Sequence, residues 1–255
     1  MIKKVIISTL GLFLILSCLL NIFLFTVFLE SYRKQKRYQI DPSSYLQYHE
    51  SNDKIRNKLR DIKRVVLFGD SRIAKWKPLP ELSGCEFINR GISGETTSQS
   101  ILRIEHDLIS LNPDIAIIEI GVNDCNSIGI LPDIENFITM KCKNNIHEIV
   151  TILNKNKIKT IFLTIFPVGL AYPHRWPIWS DKTKDAIKEI NKFILLFSYT
   201  NTTVVNCDNI FLEGNNIKKK YAEDMLHLNS DGYIRLNDYL KPYLVKAVGD
   251  IELRD

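Results

Sequence analysis

Two kinds of hydrophobic run divide this chain. Residues 5–29 are almost continuously apolar. As a helix rising about 1.5 Å per residue, that run reaches roughly 37 Å, enough to cross a bilayer with some tilt. From residue 64 onward the apolar runs are short and alternate with amphipathic stretches. Strands are predicted at 64–69, 86–89, 114–120, 158–164 and 203–206, and helices at 97–110, 132–155, 181–199 and 231–246. Such alternation implies a three-layer α/β/α sandwich, with a central parallel sheet of about five strands covered on both faces. Between the two regimes, residues 38–62 form a polar, charged stretch with apolar residues at Tyr45, Ile55, Leu59 and Ile62. That is the pattern of a linker running into a helix. The expected division is a transmembrane anchor (1–30), a basic juxtamembrane linker with a leading helix (31–62), and one α/β domain (63–255).

Charge sharpens the picture of the front end. The formal net charge is +5. All of it lies in residues 1–40, where Lys3, Lys4, Arg33, Lys34, Lys36 and Arg37 stand against Glu30. Basic flanks around an apolar run suit anionic lipid headgroups, and the balanced remainder offers no basic face for nucleic acid. A cleaved export signal has an apolar core of about 7–15 residues ending at a small-residue site. This run is longer and no such site follows it, so an uncleaved single-pass anchor is expected. Ile15-Leu16-Ser17-Cys18 is similar to part of a lipoprotein signal, but the apolar run continues past Cys18. Counting the flanking charges places the domain in the cytoplasm. The order of a basic head followed by an apolar run is that of an export signal, and an extracytoplasmic domain is the expectation. Cys85, Cys125, Cys142 and Cys207 form no C-x-x-C pair and are expected to be scattered packing residues.

The chemistry lies in four short blocks. Residues 65–72 read VVLFGDSR: a buried strand, then Gly69-Asp70 turning the chain so that Ser71 sits at the rim of the sheet. A serine hydroxyl becomes a useful nucleophile only beside a base that is itself oriented by an acceptor. Asp224 and His227, three residues apart in DMLHLNSDGY, can supply both. Between them lie Asn89-Arg90-Gly91-Ile92-Ser93-Gly94-Glu95-Thr96-Thr97 and Gly121-Val122-Asn123-Asp124. Backbone N–H groups at Ser71 and Gly94 and the Asn123 amide offer three donors for a developing alkoxide.

Taken in order, these blocks resemble the SGNH hydrolases, also called the GDSL family, over residues 64 to about 245. The resemblance implies a flavodoxin-like sandwich and an esterase without metal or cofactor. Ser71 is then the nucleophile, His227 the general base and Asp224 its orienting partner, while Ser71, Gly94 and Asn123 form the oxyanion hole. Two positions depart from the family pattern: Arg72 stands where the family name implies leucine, and Val122 replaces a frequent glycine. The G-x-S-x-G elbow of the α/β-hydrolases is absent, since Ile73 stands two places beyond Ser71.

Residues 166–181 leave the fourth strand on the same edge and carry Tyr172, His174, Arg175, Trp176 and Trp179 among prolines. This segment is either a structural cap or a substrate wall. On the second reading Arg72, Arg175, Trp176 and Trp179 are candidate substrate contacts. His106 and His147 lack partner carboxylates at metal spacing and are expected at the surface, and Lys218-Lys219-Lys220 reads as a solvated loop. The expected substrate is a small-molecule, lipid (lysophospholipid-like) or O-acetylated envelope-glycan ester. The competing reading is a membrane-tethered ligand-binding protein of the same fold without activity. A nucleotide-binding module is disfavoured because neither G-x-x-x-x-G-K nor G-x-G-x-x-G is present.

Overall fold

The computed structural model describes residues 2–56 and 61–252; Leu59 of the expected leading helix lies outside them. Two compact units follow one another along the chain, divided between Tyr45 and Leu46. The first is a single helix, α1 (Ile2–Ile40), longer than the apolar run because Arg33 to Arg37 continue it. Its segment Thr9–Ile40 contains an 18-residue window of mean hydropathy 2.7 and is long and apolar enough to cross a membrane.

The second unit holds the remaining elements: α2 (Tyr45–Arg56), β1 (Lys63–Gly69), α3 (Ser71–Ala74), β2 (Cys85–Gly91), α4 (Thr97–Asp107), β3 (Ile115–Glu119), α5 (Val122–Ser127), α6 (Glu135–Lys155), β4 (Lys159–Leu163), α7 (Lys182–Ile194), β5 (Thr202–Val205), α8 (Asp208–Phe211), β6 (Leu212–Glu213), β7 (Asn216–Ile217) and α9 (Ser230–Glu252). β1 to β5 form one parallel sheet in the order β2-β1-β3-β4-β5, while β6 and β7 pair as a small antiparallel ribbon. Each of the five main strands falls within two residues of its expected position.

Alternation within the strands explains the layers. Val66, Phe68, Ala116, Ile118 and Phe162 pack with α4, α6 and α7 on one face, while Val65, Leu67, Ile115, Ile117 and Leu163 pack with α3, α8 and α9 on the other. Successive strand residues point to opposite faces, so strands apolar on both faces require helices on both. α2 is a docked helix rather than a free spacer. The Tyr48 hydroxyl donates to the Gly91 carbonyl at 2.6 Å, and buried Asn52 donates to Asp107 at 2.6 Å and to the His106 carbonyl at 3.0 Å. His106 is accordingly half-buried and bonded to Asp107 rather than free at the surface, while His147 is exposed.

The loops leaving β1, β2, β3 and β4 all emerge at the carboxyl edge of the sheet, where open parallel sheets bind ligands. Gly69 closes β1 against β3 so tightly that a Cβ there would lie 1.8 Å from the Glu119 carbonyl oxygen. Only glycine permits that approach.

Candidate active site

Asp70 ends β1 and caps α3 by accepting from the Arg72 N–H at 2.9 Å, leaving Ser71 as the first helical residue. A helix of any length leaves its first N–H groups without intrahelical acceptors, so the Ser71 amide is available to a ligand. Its hydroxyl meets His227 Nε2 at 2.9 Å across 156 residues of sequence. His227 Nδ1 lies 2.7 Å from Asp224 Oδ2. The carboxylate's other oxygen accepts from the Leu226 and His227 N–H groups at 2.7 and 2.9 Å. The Asp224–His227 pair therefore sits on a tight loop folded around its own carboxylate. Backbone bonds pin that loop: Glu223 N–H to the His227 carbonyl at 2.9 Å, and Gly169 N–H to the Met225 carbonyl at 2.7 Å.

Partial burial alone would raise the Asp224 carboxyl, but the bonds from His227 and the two backbone N–H groups outweigh it and hold its pKa below the ordinary carboxylate range. Folding thus favours the ionised form. Its stabilising contribution is complete at neutral pH and is lost as pH falls through the depressed folded value. Asp224→Asn should unfold at lower urea than wild type at pH 7, and the two midpoints should converge as pH falls below the ordinary carboxylate range. A gap independent of pH would contradict this coupling.

Gly94 adopts φ +79°, which glycine supplies without strain. The loop around it is fixed by two buried carboxylates that sequence patterning did not single out. Glu95 is gripped by Arg103 and accepts from the Ser100 hydroxyl at 2.8 Å. Asp124 accepts from the Thr97 N–H at 2.9 Å and from its hydroxyl at 2.6 Å. Asn123, on the first turn of α5, donates from Nδ2 to the Glu95 carbonyl at 2.9 Å. An amide nitrogen carries two N–H groups, so this bond orients the side chain and leaves one donor over. Arg103 also donates to the Gly69 carbonyl at 3.1 Å, tying the Gly94 block to the turn that carries Ser71.

Arg72 corrects one expectation. It is not a substrate contact: it is fully buried, paired with buried Glu119 at 3.1 Å and stacked over Phe166 at 5.2 Å. Its Nε donates to the Leu226 carbonyl at 2.8 Å, and its own carbonyl accepts from the Tyr233 hydroxyl at 2.7 Å. The residue thus fastens the serine turn to the loop bearing His227. Asp70 joins the cluster, and burial together with the nearby Glu119 carboxylate pushes its carboxyl well above the ordinary range. Removing one member of a buried pair strands the other. Arg72→Leu should therefore cost about 3 kcal/mol in denaturant unfolding, and Arg72→Leu combined with Glu119→Leu should recover much of it. A double variant no better than the single would refute this account.

The loop after β4 contains a short 3-10 turn, Pro173–Ile178. Trp176 is exposed and donates to the Ala171 carbonyl at 3.2 Å, while Arg175 and Trp179 are half-buried. The two tryptophans line an open cavity of about 490 Å³ with Leu170, Asp181 and Lys184.

A family model described as GDSL-like lipase/acylhydrolase matches residues 67–235. The chain belongs to the GDSL-like lipase/acylhydrolase family. This GDSL-like protein is accordingly a serine hydrolase acting on ester bonds. Among solved structures it is similar to a GDSL-like lipase from Bacteroides thetaiotaomicron VPI-5482, at 24% identity and a TM-score of 0.64 over 80% of this chain and 98% of that one. It is also similar to a protein described as an acylhydrolase from Bacteroides fragilis NCTC 9343, at 23% identity and a TM-score of 0.65 over 80% and 97%. A third similar structure is an acetyl xylan esterase, at 21% identity and a TM-score of 0.57 over 71% and 98%. At these identities the likeness speaks to the fold. A search of curated proteins finds no match.

Proposed function

We propose that the GDSL-like hydrolase cleaves carboxylic esters through an acyl-enzyme on Ser71. The observation that carries this is the unbroken relay from the Ser71 hydroxyl through His227 to Asp224. In the first half-reaction His227 Nε2 takes the hydroxyl proton as Ser71 Oγ bonds to the ester carbonyl carbon. The carbonyl oxygen, now negative, is held by the Ser71 and Gly94 N–H groups and the spare N–H of Asn123. Collapse of the adduct breaks the carbon–oxygen bond to the alcohol, which leaves with the proton from His227. Water, deprotonated by the same nitrogen, then releases the acid and restores Ser71. Asp224 fixes the ring tautomer throughout and stabilises the imidazolium. A fluorophosphonate probe should label Ser71 alone, as read by peptide mapping; labelling of another serine would sink the assignment.

The substrate reading is an ester on a lipid or an O-acetyl group on an envelope glycan, with Arg175, Trp176 and Trp179 as its wall. Large aromatic faces suit either an acyl chain or a sugar ring. A series of p-nitrophenyl esters from short to long, set beside an acetylated glycan and a lysophospholipid, separates the two. We further propose that α1 is an uncleaved anchor and that the catalytic unit lies outside the cytoplasm. Full-length protein should then stay with membranes through a carbonate wash, because burial in hydrocarbon does not depend on ionic strength or pH. A carboxyl-terminal alkaline phosphatase fusion should be active; a silent one beside a glowing fluorescent-protein fusion would reverse the orientation.

A further inference from the structure

The exposed apolar residues of the catalytic unit concentrate in one place. Of the sixteen large hydrophobic residues exposed on its described part, nine fall within 130–140 and 170–178. They include Ile130 (61% exposed), Phe137 (56%), Leu170 (72%) and Trp176 (66%). Ile134, Phe137 and Met140 follow helical spacing on the outward side of the start of α6, opposite buried Thr139, Cys142 and Ile146. Farther along α6 the outward positions turn polar, with Asn144, His147, Glu148 and Lys155 exposed. The apolar stripe is therefore confined to one end of the helix.

That end is the carboxyl edge of the sheet. The two segments touch, since a Cβ at Gly129 would lie 2.3 Å from the Ile178 carbonyl oxygen, and Lys182 pairs with Glu135 at 2.5 Å across them. Leu170 follows Gly169, which is bonded to the His227 loop, and Ile130 lies just beyond α5, which bears Asn123. The apolar rim thus adjoins the loops that carry His227 and Asn123. Monomeric soluble surfaces rarely keep so concentrated a patch without a partner.

What covers it follows from where the chain enters the unit. α2 runs against the strands: Tyr48 meets Gly91 at the carboxyl end of β2, whereas the Ile55 carbonyl accepts from Arg64 at the start of β1. The chain therefore arrives at the carboxyl edge, with Leu46 76% exposed there. That entry follows α1 after residues 41–44, and the apolar run of bilayer length within α1 ends at Leu29, with residues 30–44 between it and Tyr45. An apolar rim carrying Trp176 and Tyr172 has the composition of a membrane interface.

We propose that the rim formed by residues 130–140 and 170–178 docks on the lipid surface, so that the Ser71 site opens toward the bilayer and draws its ester from it. This rests on α1 as an anchor and deepens the esterase reading toward lipid-borne substrates. Quenching by lipid tests it in full-length protein reconstituted in phosphatidylcholine vesicles. The chain has three tryptophans, Trp76, Trp176 and Trp179, and none lies in α1, so insertion of that helix is silent. Lipids brominated on the acyl chains should quench part of the emission, and Trp176→Phe should remove that part, since Trp76 is buried. Ile130→Ser with Phe137→Ser should slow hydrolysis of a long-chain ester held in the vesicles about tenfold, with p-nitrophenyl acetate turnover nearly unchanged. Emission unaffected by bromine, quenching that persists in Trp176→Phe, or equal loss on both substrates would each overturn the docking. Cross-linking of Ile130→Cys chains to one another without quenching would assign the surface to a second copy and overturn it as well. An enzyme inert toward every ester would sink the esterase reading, and the quenching result would still decide the docking.

Discussion

Ser71→Ala is expected to lower kcat on p-nitrophenyl acetate by about 10⁴–10⁶. The attacking oxygen comes from that side chain alone. The hydroxyl's described bond is to His227, so the variant should fold as wild type does and melt at nearly the same temperature. His227→Ala should cost a similar factor, and the double variant little more than either single one, because the pair acts as a unit. Additive losses would mean that Ser71 and His227 serve separate steps and would break the relay. Steady-state turnover, corrected by fluorophosphonate titration of active sites in wild type, makes the measurement. The competing picture of an inactive binding protein expects no turnover in any of them.

Asn123→Ala is expected to lower kcat by about 10²–10³ while KM moves little, since an oxyanion donor strengthens its bond only as charge develops. The structure sharpens this test. One N–H of Asn123 already holds the Glu95 carbonyl at 2.9 Å, so truncation also loosens the Gly94 loop, at about 1 kcal/mol for a lost hydrogen bond. A residue that only braced the loop would show that stability loss with kcat almost intact in the folded fraction. Thermal midpoint and kcat on one preparation separate the roles, and an unchanged kcat removes Asn123 from the oxyanion hole.

Much of this arrangement was legible before any coordinates. Strands such as 65–68 are buried on both faces and read as unbroken apolar runs, and turn residues mark where Ser71 must sit. The Asp224–His227 contact is local, spanning three residues. What escaped was long-range and charged. Arg72 and Glu119 meet across 47 residues, and Arg90 reaches Asn52 across 38. A single sequence marks an arginine as a surface residue by default; only the fold supplies the carboxylate that permits burial. The same blindness hid the docking of α2, which depends on polar Tyr48 and Asn52. It also made Arg72 look like a substrate contact, because proximity to Ser71 in sequence says nothing about which way a side chain turns.

The 156 residues between Ser71 and His227 set a clock on the enzyme's birth. At about 5–20 residues per second, synthesis needs roughly 8–30 s after Ser71 is made before the base exists at all. Throughout that interval the nascent chain carries an alcohol no more reactive than any other serine. The apolar segment 5–29 is made well before His227, so under the proposal that α1 is an anchor the polypeptide meets the bilayer before it acquires its base.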